Sequence, residues 1–593
     1  MILFDVVRTE LLEQIRLALG ADAPADLGIE VPPELKMGDF AFPTFKLAKA
    51  LRKAPPVIAK EVAEKLLANA ALSAKYEIAA AGPYVNFLVK RDVVLKDVLG
   101  SLLLSGNSLA EKHVENPPVA IMEYSSPNVA KPFNIYHLRG TMIGNALYRI
   151  YNSRGYKMVG LNHLGDWGTQ YGTLAVAYEK WGDDRELEAR GIEYLVELYV
   201  RINKEIETDP TIKDKAREYF SNLEKGEPKI TAYWKRFVDL SIKEFKITYD
   251  RLNVHFDHYW GESMYVDKTD ALVKLLREKS LLVESEGAQV VKLDDFGMPP
   301  CLVIKGDGST IYATRDLAAA IYRHQKFNFK KMVYVVGGEQ KLHFQQVFKV
   351  LELAGFDWSK NCTHVDFGLY RFKDAKMSTR KGNFVTLEAV LDHAVERVQQ
   401  IMEQKSSAMS ADERARAAEI IGCGAVIFND LSTDRNTDVN FDLERVVDFE
   451  GETGPYVQYA HTRCLGILRN APAELTSGIE VAKLLDLASA QPGLAKLATA
   501  AQAKLKEVEE LELIRMLARL PLVLDQIVES HRPSTLATYV IDVTKVFNVF
   551  YRAHKVLVED TELARARLAL VLATQRTLLK SLTLLGMKVP ERM

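Results

Sequence analysis

The segment 119–153 restricts the possible folds of this chain more than any other. Residues 119–122 form a short apolar run of the length expected for a buried strand, and a polar loop broken by prolines follows. From about His137 a helix is predicted, with these residues on one apolar face: Leu138, Met142, Ile143, Ala146, Leu147 and Ile150. Free backbone N–H groups and the helix dipole favour an anion such as phosphate at a helix start. Lys131, His137 and Arg139 can add positive charge or donors there. An ordinary strand–loop–helix unit whose polar residues only cap the helix would have the same pattern.

Length and composition indicate a multidomain globular protein. A chain of 593 residues is expected to divide into about three or four domains. No apolar run reaches the roughly 18 residues needed to cross a bilayer, and residues 1–15 lack the basic start of a signal peptide. We therefore expect a cytoplasmic protein. The net charge of −2 argues against a general nucleic-acid coat but leaves room for a folded RNA bound by a local basic face.

The four cysteines, Cys301, Cys362, Cys423 and Cys464, lie far apart in the sequence. They have neither the paired spacing of a zinc site nor the pattern of a disulfide framework. We therefore expect buried thiols and no structural metal.

Residues 1–115 are predicted to form a first unit. A helix is expected over residues 5–19, a second helix starts at Pro55–Pro56, and two short strands flank the Gly82–Pro83 turn. Tyr84 and Asn86 are two residues apart, so they share one face of the second strand. An aromatic ring beside an amide can cradle an unstacked base, but such a pair is also common on a sheet surface.

Further strand–loop–helix units follow. Residues 156–172 read as an apolar strand that enters a polar loop, which is where parallel α/β sheets place their sites. Residues 180–285 are highly charged with helical periodicity, and we interpret them as an insertion between two halves of a parallel sheet. The second half resumes at about Cys301, and residues 363–372 give one more strand.

Two pairs of polar residues in this second half are predicted to share helical faces. Tyr312 and Asp316 are four residues apart, and His343 and Gln346 are three apart. A loop follows at 376–385, where basic residues surround a serine and a glycine. Its cations could clamp a triphosphate, although a solvated basic loop would have the same composition.

From about Asp392 the chain is predicted to be helical, with one break at Gly454–Pro455. Tyr456, Tyr459 and Arg463 fall on one helical face, which could stack RNA bases or form a mixed packing face. The last stretch is predicted to be an amphipathic helix packed into the same helical bundle.

Taken together, these motifs resemble those of the arginyl-tRNA synthetase family of class I aminoacyl-tRNA synthetases, over essentially the whole length. The matching motifs, in chain order, are KMGDFAF, SSPNVAKPF, HLRGTMIGNALYRI, HLGDWGTQYG, DGSTIYATRD, KMSTRKGN, FEGETGPYVQYAHTR and LLGMKVPERM. The resemblance implies an α/β fold with an N-terminal α/β add-on domain (1–115) and a Rossmann-like catalytic domain (116–390) with an insertion at about 180–290. A helical stem-contact linker region (391–455) and a C-terminal all-α anticodon-binding bundle (456–593) complete it.

The resemblance also implies a two-step reaction. Arginine attacks the α-phosphate of ATP, which carries Mg²⁺, to give arginyl-adenylate and pyrophosphate, and the adenylate then acylates tRNA-Arg. Family members require bound tRNA even for the first step. A monomer is expected. The protein would act mainly by positioning reactants and stabilising phosphate charge.

The resemblance assigns roles to individual residues. The expected arginine-binding residues are Glu123 (for the α-amino group), Ser125, Asn128, Tyr312, Asp316 and Gln346. The expected ATP-binding residues are Asn134, His137, Gly140, Gly338, Glu339, His343 and Met377. The expected catalytic residues are His137, Lys131, Asn134, Lys376, Ser378 and Arg380. The expected tRNA-binding residues are Tyr84, Asn86, Tyr456, Tyr459, Arg463, Tyr539 and Met593.

Two motifs depart from the class pattern. The first class motif, usually His-any-Gly-His, reads Asn134-Ile135-Tyr136-His137 here. Asparagine can still donate to a phosphate, but a tyrosine in place of the glycine must turn its ring away or lower the affinity for ATP. The second motif has Thr379 instead of its final lysine, and Arg380, Lys381 or Lys131 could supply the missing charge.

Three functions other than an active enzyme of this family would account for parts of the sequence. A catalytically weakened relative that binds tRNA or arginine as a regulator is supported only by Tyr136. A class I synthetase for another amino acid would need an apolar pocket in place of carboxylates. A nucleotidylyltransferase would have no use for the helical C-terminal domain.

Overall fold

A computed structural model describes residues 3–32, 35–372, 386–405, 409–489 and 491–593. The predicted basic loop lies outside these ranges, and with it Lys376, Met377, Ser378, Thr379, Arg380 and Lys381. In chain order the strands are β1 Phe40–Pro43, β2 Tyr76–Ala81, β3 Tyr84–Val89, β4 Val119–Glu123, β5 Lys157–Leu164, β6 His258–Gly261, β7 Leu282–Ser285, β8 Ala288–Val291, β9 Cys301–Ile304, β10 Lys331–Val335, β11 Cys362–Val365, β12 Tyr370–Phe372 and β13 Val439–Phe441.

The helices of the first half are α1 Phe4–Leu19, α2 Leu47–Leu51, α3 Pro55–Leu67, α4 Ala70–Lys75, α5 Arg91–Val93, α6 Leu99–Leu104, α7 Tyr136–Ser153, α8 Thr169–Trp181, α9 Asp184–Arg190, α10 Ile192–Thr208, α11 Thr211–Glu224, α12 Pro228–Arg251 and α13 Thr269–Glu278. Those of the second half are α14 Tyr312–Phe327, α15 Lys341–Leu353, α16 Leu387–Lys405, α17 Ala411–Ser432, α18 Leu443–Val446, α19 Gly454–Asn470, α20 Gly493–Lys504, α21 Val508–Ala518, α22 Leu520–Ser530, α23 Ser534–Ala553 and α24 Thr561–Leu584.

The N-terminal unit is a small antiparallel sheet, in the order β1-β3-β2, covered by helices. The prolines at 55 and 56 occupy the first turn of α3, and Gly82–Pro83 joins β2 to β3, so both predictions are confirmed. Along β3 the residues alternate, with Val85, Phe87 and Val89 buried against the helices and the intervening residues partly exposed.

The central sheet is parallel, in the order β11-β10-β4-β5-β6. The chain leaves the β6 edge and returns to form β10 on the other side of β4. The order of strands therefore reverses between β4 and β10, and open α/β sheets bind ligands at the carboxyl ends of the strands beside such a reversal. A ligand is therefore expected to bind at the loops after β4 and β10.

Three details of the predicted elements were wrong. The charged segment interpreted as an insertion contains β6, whose four residues, His-Tyr-Trp-Gly, lack an apolar run. Residues 363–372 form parts of two strands, because β11 joins the central sheet whereas β12 pairs with β13. Residue 301 starts β9, which belongs to a separate antiparallel sheet, β7-β8-β9.

The C-terminal half is helical, as predicted, apart from the β12–β13 pair. Gly454–Pro455 opens α19, where the Tyr456 N–H donates to the Thr453 hydroxyl at 3.4 Å. Helix α24 is predicted to be amphipathic but is buried on nearly all sides, because α6, α19, α20, α21 and α23 all pack around it.

Two further findings concern the described residues as a whole. All four cysteines are buried and free, as predicted. Across the described ranges, no helix combines the length and apolar character that a membrane span requires.

Candidate active site

The loop after β4 brings strained backbone to the edge of the central sheet. Ser125, Ser126 and Ala130 have φ values of +74°, +51° and +57°, a region that residues other than glycine rarely adopt. Such conformations cluster at ligand sites, where the surrounding structure holds them in place. The hydroxyl of Ser125 is engaged on both sides, since Thr141 Oγ1 donates to it at 2.8 Å and Tyr249 Oη lies 2.7 Å away.

His137 lies in the first turn of α7, next to the end of that loop. Its ring stacks on Phe133, with 5.0 Å between centroids and 16° between planes. Burial and the nearby Lys131 lower its pKa to about 4, against the opposing effect of a hydrogen bond to the Asn134 backbone, so the ring is neutral near pH 7. Its Nδ1 lies 3.1 Å from the Asn134 N and 3.3 Å from the Asn134 carbonyl oxygen. A neutral imidazole that carries its hydrogen on Nε2 is a suitable donor to a phosphate oxygen.

Close packing fixes the start of α7 over the sheet. A Cβ at Gly140 would lie 3.0 Å from the Phe367 ring, and a Cβ at Gly144 would overlap the Tyr124 side chain. Asn134 accepts a bond from the Tyr136 N–H at 3.1 Å, which caps the helix start. Tyr136 itself is 39% exposed.

Asp316 lies in the second turn of α14 and is the centre of a cluster of polar groups. Its Oδ2 accepts from His343 Nε2 at 2.6 Å, and its Oδ1 lies 4.0 Å from His163 Nε2. Burial alone would raise its pKa, but His343, His163 and Arg323 outweigh burial and keep the pKa of Asp316 below its ordinary value. Asp316 is therefore a carboxylate at neutral pH. Tyr312, one turn earlier, is 62% exposed.

Glu123 ends β4 and is buried in an ion pair with Arg323 Nη1 of α14. The same guanidinium contacts His163 Nδ1 at 3.2 Å and donates to Tyr265 Oη at 3.2 Å. A continuous polar chain therefore runs from Glu123 through Arg323 and His163 to Asp316.

The importance of Arg323 was missed from the sequence. It follows Asp316 by seven residues, two helical turns, so the two share a face of α14. That spacing was a usable signal. Its pairing with Glu123, 200 positions earlier in the chain, has no local signature.

The remaining predicted small-ligand residues surround this cluster. Asn128 is exposed and pairs through its backbone with Gly165. Lys131 is exposed in the same loop. The Gln346 amide donates to the carbonyls of Pro299 at 2.8 Å and Pro300 at 3.3 Å.

The glycine loop after β10 carries two of the predicted ATP-binding residues. Gly338 and Glu339 form a short turn between β10 and α15. The Glu339 carboxylate bends back over Gly337, and a Cβ there would lie 2.6 Å from its oxygens.

Two surfaces hold most of the predicted tRNA-binding residues. Tyr84 and Asn86 share the half-exposed face of β3, and the exposed ring of Phe45 meets Tyr84 edge-on at 5.6 Å. On α19, Tyr459 is 41% exposed, and the Arg463 guanidinium lies 4.8 Å from its ring centroid.

Tyr551 of α23, which sequence reasoning missed, joins the α19 surface. Its ring lies 5.6 Å from the same Arg463 guanidinium. Tyr456, also on α19, is partly buried and accepts from Asn548 at 3.1 Å.

Two residues predicted to bind tRNA have other environments. Tyr539 is buried in the bundle, and its hydroxyl donates to the carbonyls of Met516 and Leu517, both at 3.1 Å. Met593 is partly buried against the main core. No cluster of three or more candidate metal ligands occurs within the described ranges.

This sheet, its reversal point and the helix start at His137 define the catalytic domain of a class I aminoacyl-tRNA synthetase. The family model "tRNA synthetases class I (R), catalytic domain" matches residues 98–443. The models "Arginyl tRNA synthetase N terminal domain" and "DALR anticodon binding domain" match residues 5–89 and 457–593.

Curated relatives and solved structures agree with these matches. The chain is 44% identical over 566 residues to the arginine–tRNA ligase of Alkaliphilus metalliredigens, covering 95% of each. It is 46% identical over 567 residues to that of Clostridium beijerinckii, covering 95% of the chain and 96% of the relative. Its fold is similar to arginyl-tRNA synthetases of Thermus thermophilus (25% identity, TM-score 0.81, 99% and 100% covered) and Plasmodium falciparum (22%, 0.81, 99% of each).

The chain therefore belongs to the arginyl-tRNA synthetase family. Its function is that of an arginine–tRNA ligase, which activates L-arginine with ATP and attaches it to tRNA-Arg. Class I enzymes use ATP with Mg²⁺ as a substrate. A nucleotidylyltransferase or a synthetase for another amino acid is thereby excluded.

Proposed function

We propose that the guanidinium of the substrate arginine binds at Asp316, with the exposed ring of Tyr312 beside it. The supporting observation is the state of Asp316, an ionised carboxylate fixed by His343 at 2.6 Å. A guanidinium requires planar carboxylate acceptors and is recognised poorly by neutral groups. A carboxylate that is already oriented before binding also reduces the ordering cost of recognition.

The other end of arginine is proposed to bind around the loop after β4. Glu123 would hold the α-amino group, with Ser125, Asn128 and Gln346 orienting the amino and carboxyl ends. The Glu123 carboxylate is engaged by Arg323, and the Gln346 amide by two proline carbonyls. Both roles therefore require these contacts to be shared or exchanged when arginine binds.

ATP is proposed to lie across the start of α7 and the glycine loop after β10. The Nε2–H of His137 and the Asn134 amide would contact its phosphates, Lys131 would add charge, and Gly140 would allow close approach. Gly338, Glu339, His343 and Met377 would line the rest of the nucleotide site.

In the first step a carboxylate oxygen of arginine attacks the α-phosphorus, and pyrophosphate leaves. Lys376, Ser378 and Arg380 would stabilise the charge that develops on the leaving phosphates. In the second step a hydroxyl of the terminal adenosine attacks the carbonyl carbon of arginyl-adenylate, and AMP leaves. The protein contributes position and electrostatics to both steps.

We further propose that Tyr84 and Asn86 contact the body of the tRNA, while Tyr456, Tyr459 and Arg463 face the anticodon. Exposed aromatic and arginine groups on α19 are suited to stacking on unpaired bases. Tyr539 and Met593 remain predictions, which their burial does not favour. A cytoplasmic monomer is the proposed working form, and sedimentation at working concentration would test that state.

The decisive experiment is ATP–pyrophosphate exchange with arginine, with and without tRNA-Arg, measured beside the formation of arginyl-tRNA. We expect exchange and charging, with exchange requiring tRNA. Lysine in place of arginine serves as the matched control, because it has the charge but not the planar fork. Tight tRNA binding with neither activity would instead support a regulator and would overturn the catalytic proposal.

A further inference from the structure

A buried carboxylate outside the proposed substrate site joins the start of α7 to strand β12. Asp430 lies near the end of α17 and is fully buried. Its Oδ1 accepts from the Tyr370 hydroxyl at 2.5 Å and from Arg139 Nη1 at 3.3 Å. Its Oδ2 accepts no hydrogen bond from the described residues. One oxygen atom therefore holds both donors.

Arg139 anchors the start of α7. It follows His137 by two residues and is 1% exposed. Besides Asp430 Oδ1, its guanidinium donates to the carbonyls of Asp430 at 3.1 Å, Asp434 at 2.7 Å and Thr437 at 3.0 Å. A buried charge held by this many acceptors tolerates little displacement. The first turns of α7 are thereby fixed to the connection between α17 and β13.

Tyr370 anchors the second element. It begins β12, whose register with β13 pairs Tyr370 with Val439 and Phe372 with Phe441. In the sequence, the basic loop at 376–385 follows β12 almost directly. Asp430 thus fixes the strand from which that loop leaves, at the same point where it fixes α7.

We propose that Asp430 is a positioning residue for ATP, which sets the distance between the start of α7 and the strand that leads into the basic loop. The proposal rests on the ATP roles proposed for His137 and for that loop. A reactant held out of place by about 1 Å can lose on the order of 100-fold in rate. Because Arg139 and Tyr370 both donate to the same oxygen of Asp430, that oxygen fixes the distance between their two elements.

The test compares Asp430→Asn, Tyr370→Phe and their double variant in tRNA-dependent ATP–pyrophosphate exchange. We expect kcat/KM for ATP to fall on the order of 10- to 100-fold in Asp430→Asn, with the KM for arginine and the affinity for tRNA-Arg unchanged. The double variant should lose less than the product of the two single losses, because both changes break one junction. Arg371→Gln is the control, since Arg371 neighbours Tyr370 but forms an exposed ion pair with Asp438 at 2.6 Å.

The outcomes separate this inference from the function on which it rests. Equal losses for ATP, arginine and tRNA, or a lower melting temperature with unchanged kcat/KM for ATP, would overturn the positioning role. His137→Ala is measured in parallel. If His137→Ala weakens ATP use and Asp430→Asn does not, only the inference fails. If His137→Ala has no effect on ATP, the proposed nucleotide site itself fails.

Discussion

The proposed arginine pocket and the α19 surface use charged side chains in opposite ways. In the pocket, Glu123 and Asp316 are fixed by internal partners, Arg323 and His343, within a chain of polar contacts whose Glu123–Arg323 end is buried. On the surface, Arg463 lies between two exposed tyrosine rings. The pocket is organised before its small ligand arrives, which suits strict selection. The surface keeps adaptable groups in water, which suits a large and mobile partner.

The largest effect is expected from removing Arg323, the internal counter-ion of Glu123 in the pocket. Arg323→Met leaves the Glu123 carboxylate buried without its guanidinium. We expect a loss of about 3–5 kcal/mol in the free energy of unfolding, as for other broken buried ion pairs. Urea titration measures it. The double variant Arg323→Met with Glu123→Gln should recover part of the loss, and no recovery would show that Arg323 acts by packing alone.

The next effect concerns selectivity. Asp316→Asn keeps the size of the side chain but removes the charge that a guanidinium requires. We therefore expect kcat/KM for arginine to fall by about 100-fold. This fall corresponds to the loss of a charged hydrogen bond of about 3 kcal/mol. Affinity for tRNA-Arg, measured by filter binding, should not change. Unchanged activity with arginine would remove Asp316 from the substrate site.

The elements that carry this proposed pocket were predicted from the sequence, whereas the chain of contacts between them was not. The strand–loop–helix unit at 119–153, the α14 pair Tyr312 and Asp316, and the α15 face were predicted because their signals are local spacings. The contacts of Arg323 with Glu123 and of Arg139 with Asp430 join residues far apart in the chain. No periodicity encodes such a pair.

The errors in the fold have a similar physical origin. Strand β6 has four residues, and its place in the sheet comes from backbone pairing with β5 rather than from an apolar pattern. Helix α24 was predicted to be amphipathic because polar residues recur in its first and last turns, but most of them are buried. Some of those residues form ion pairs inside the protein, as where Arg567 pairs with Glu510 at 2.9 Å and Lys580 with Glu111 at 2.7 Å. Others, such as Arg576 Nε and Thr577 Oγ1, are buried without a hydrogen-bond partner among the described residues.

A third prediction concerns two histidines whose pKa is lowered by burial, one at the start of α7 and one on α19. Burial lowers the pKa of His137 to about 4 and of His461 on α19 to about 3, from an ordinary value of 6.5. Between those values the unfolded chain binds protons that the folded chain does not, so stability must fall as pH decreases from 6.5. Each histidine contributes up to about 1.4 kcal/mol per pH unit.

Urea titrations at pH 7.0 and 5.0 measure this loss of stability. Other groups also titrate in that range, so the informative quantity is the difference in slope between the wild type and His461→Gln. A shallower slope in the variant is expected. Equal slopes would mean that His461 binds protons equally in the folded and unfolded states.

The fourth prediction sharpens the surface half of the comparison. Tyr551→Ala removes one of the two rings beside Arg463 and should weaken tRNA-Arg binding by on the order of 1 kcal/mol, the lower end for loss of a stacking contact. The KM for arginine should not change. Phe547→Leu is a suitable control, because Phe547 stacks on Tyr551 at 6.0 Å but is buried. Equal tRNA affinities of the wild type and Tyr551→Ala would confine the RNA contact to α19.

The smallest effect is expected at Tyr136, where the nucleotide motif departs most from its class. The ring is 39% exposed, at the start of the helix that carries His137, whose own ring is packed on Phe133. Tyr136→Gly should therefore leave kcat/KM for ATP equal or slightly higher in the exchange assay. A large loss would give the tyrosine a role of its own in holding the nucleotide. The proposed ATP site would then resemble the α19 surface in using an exposed aromatic ring to bind its ligand.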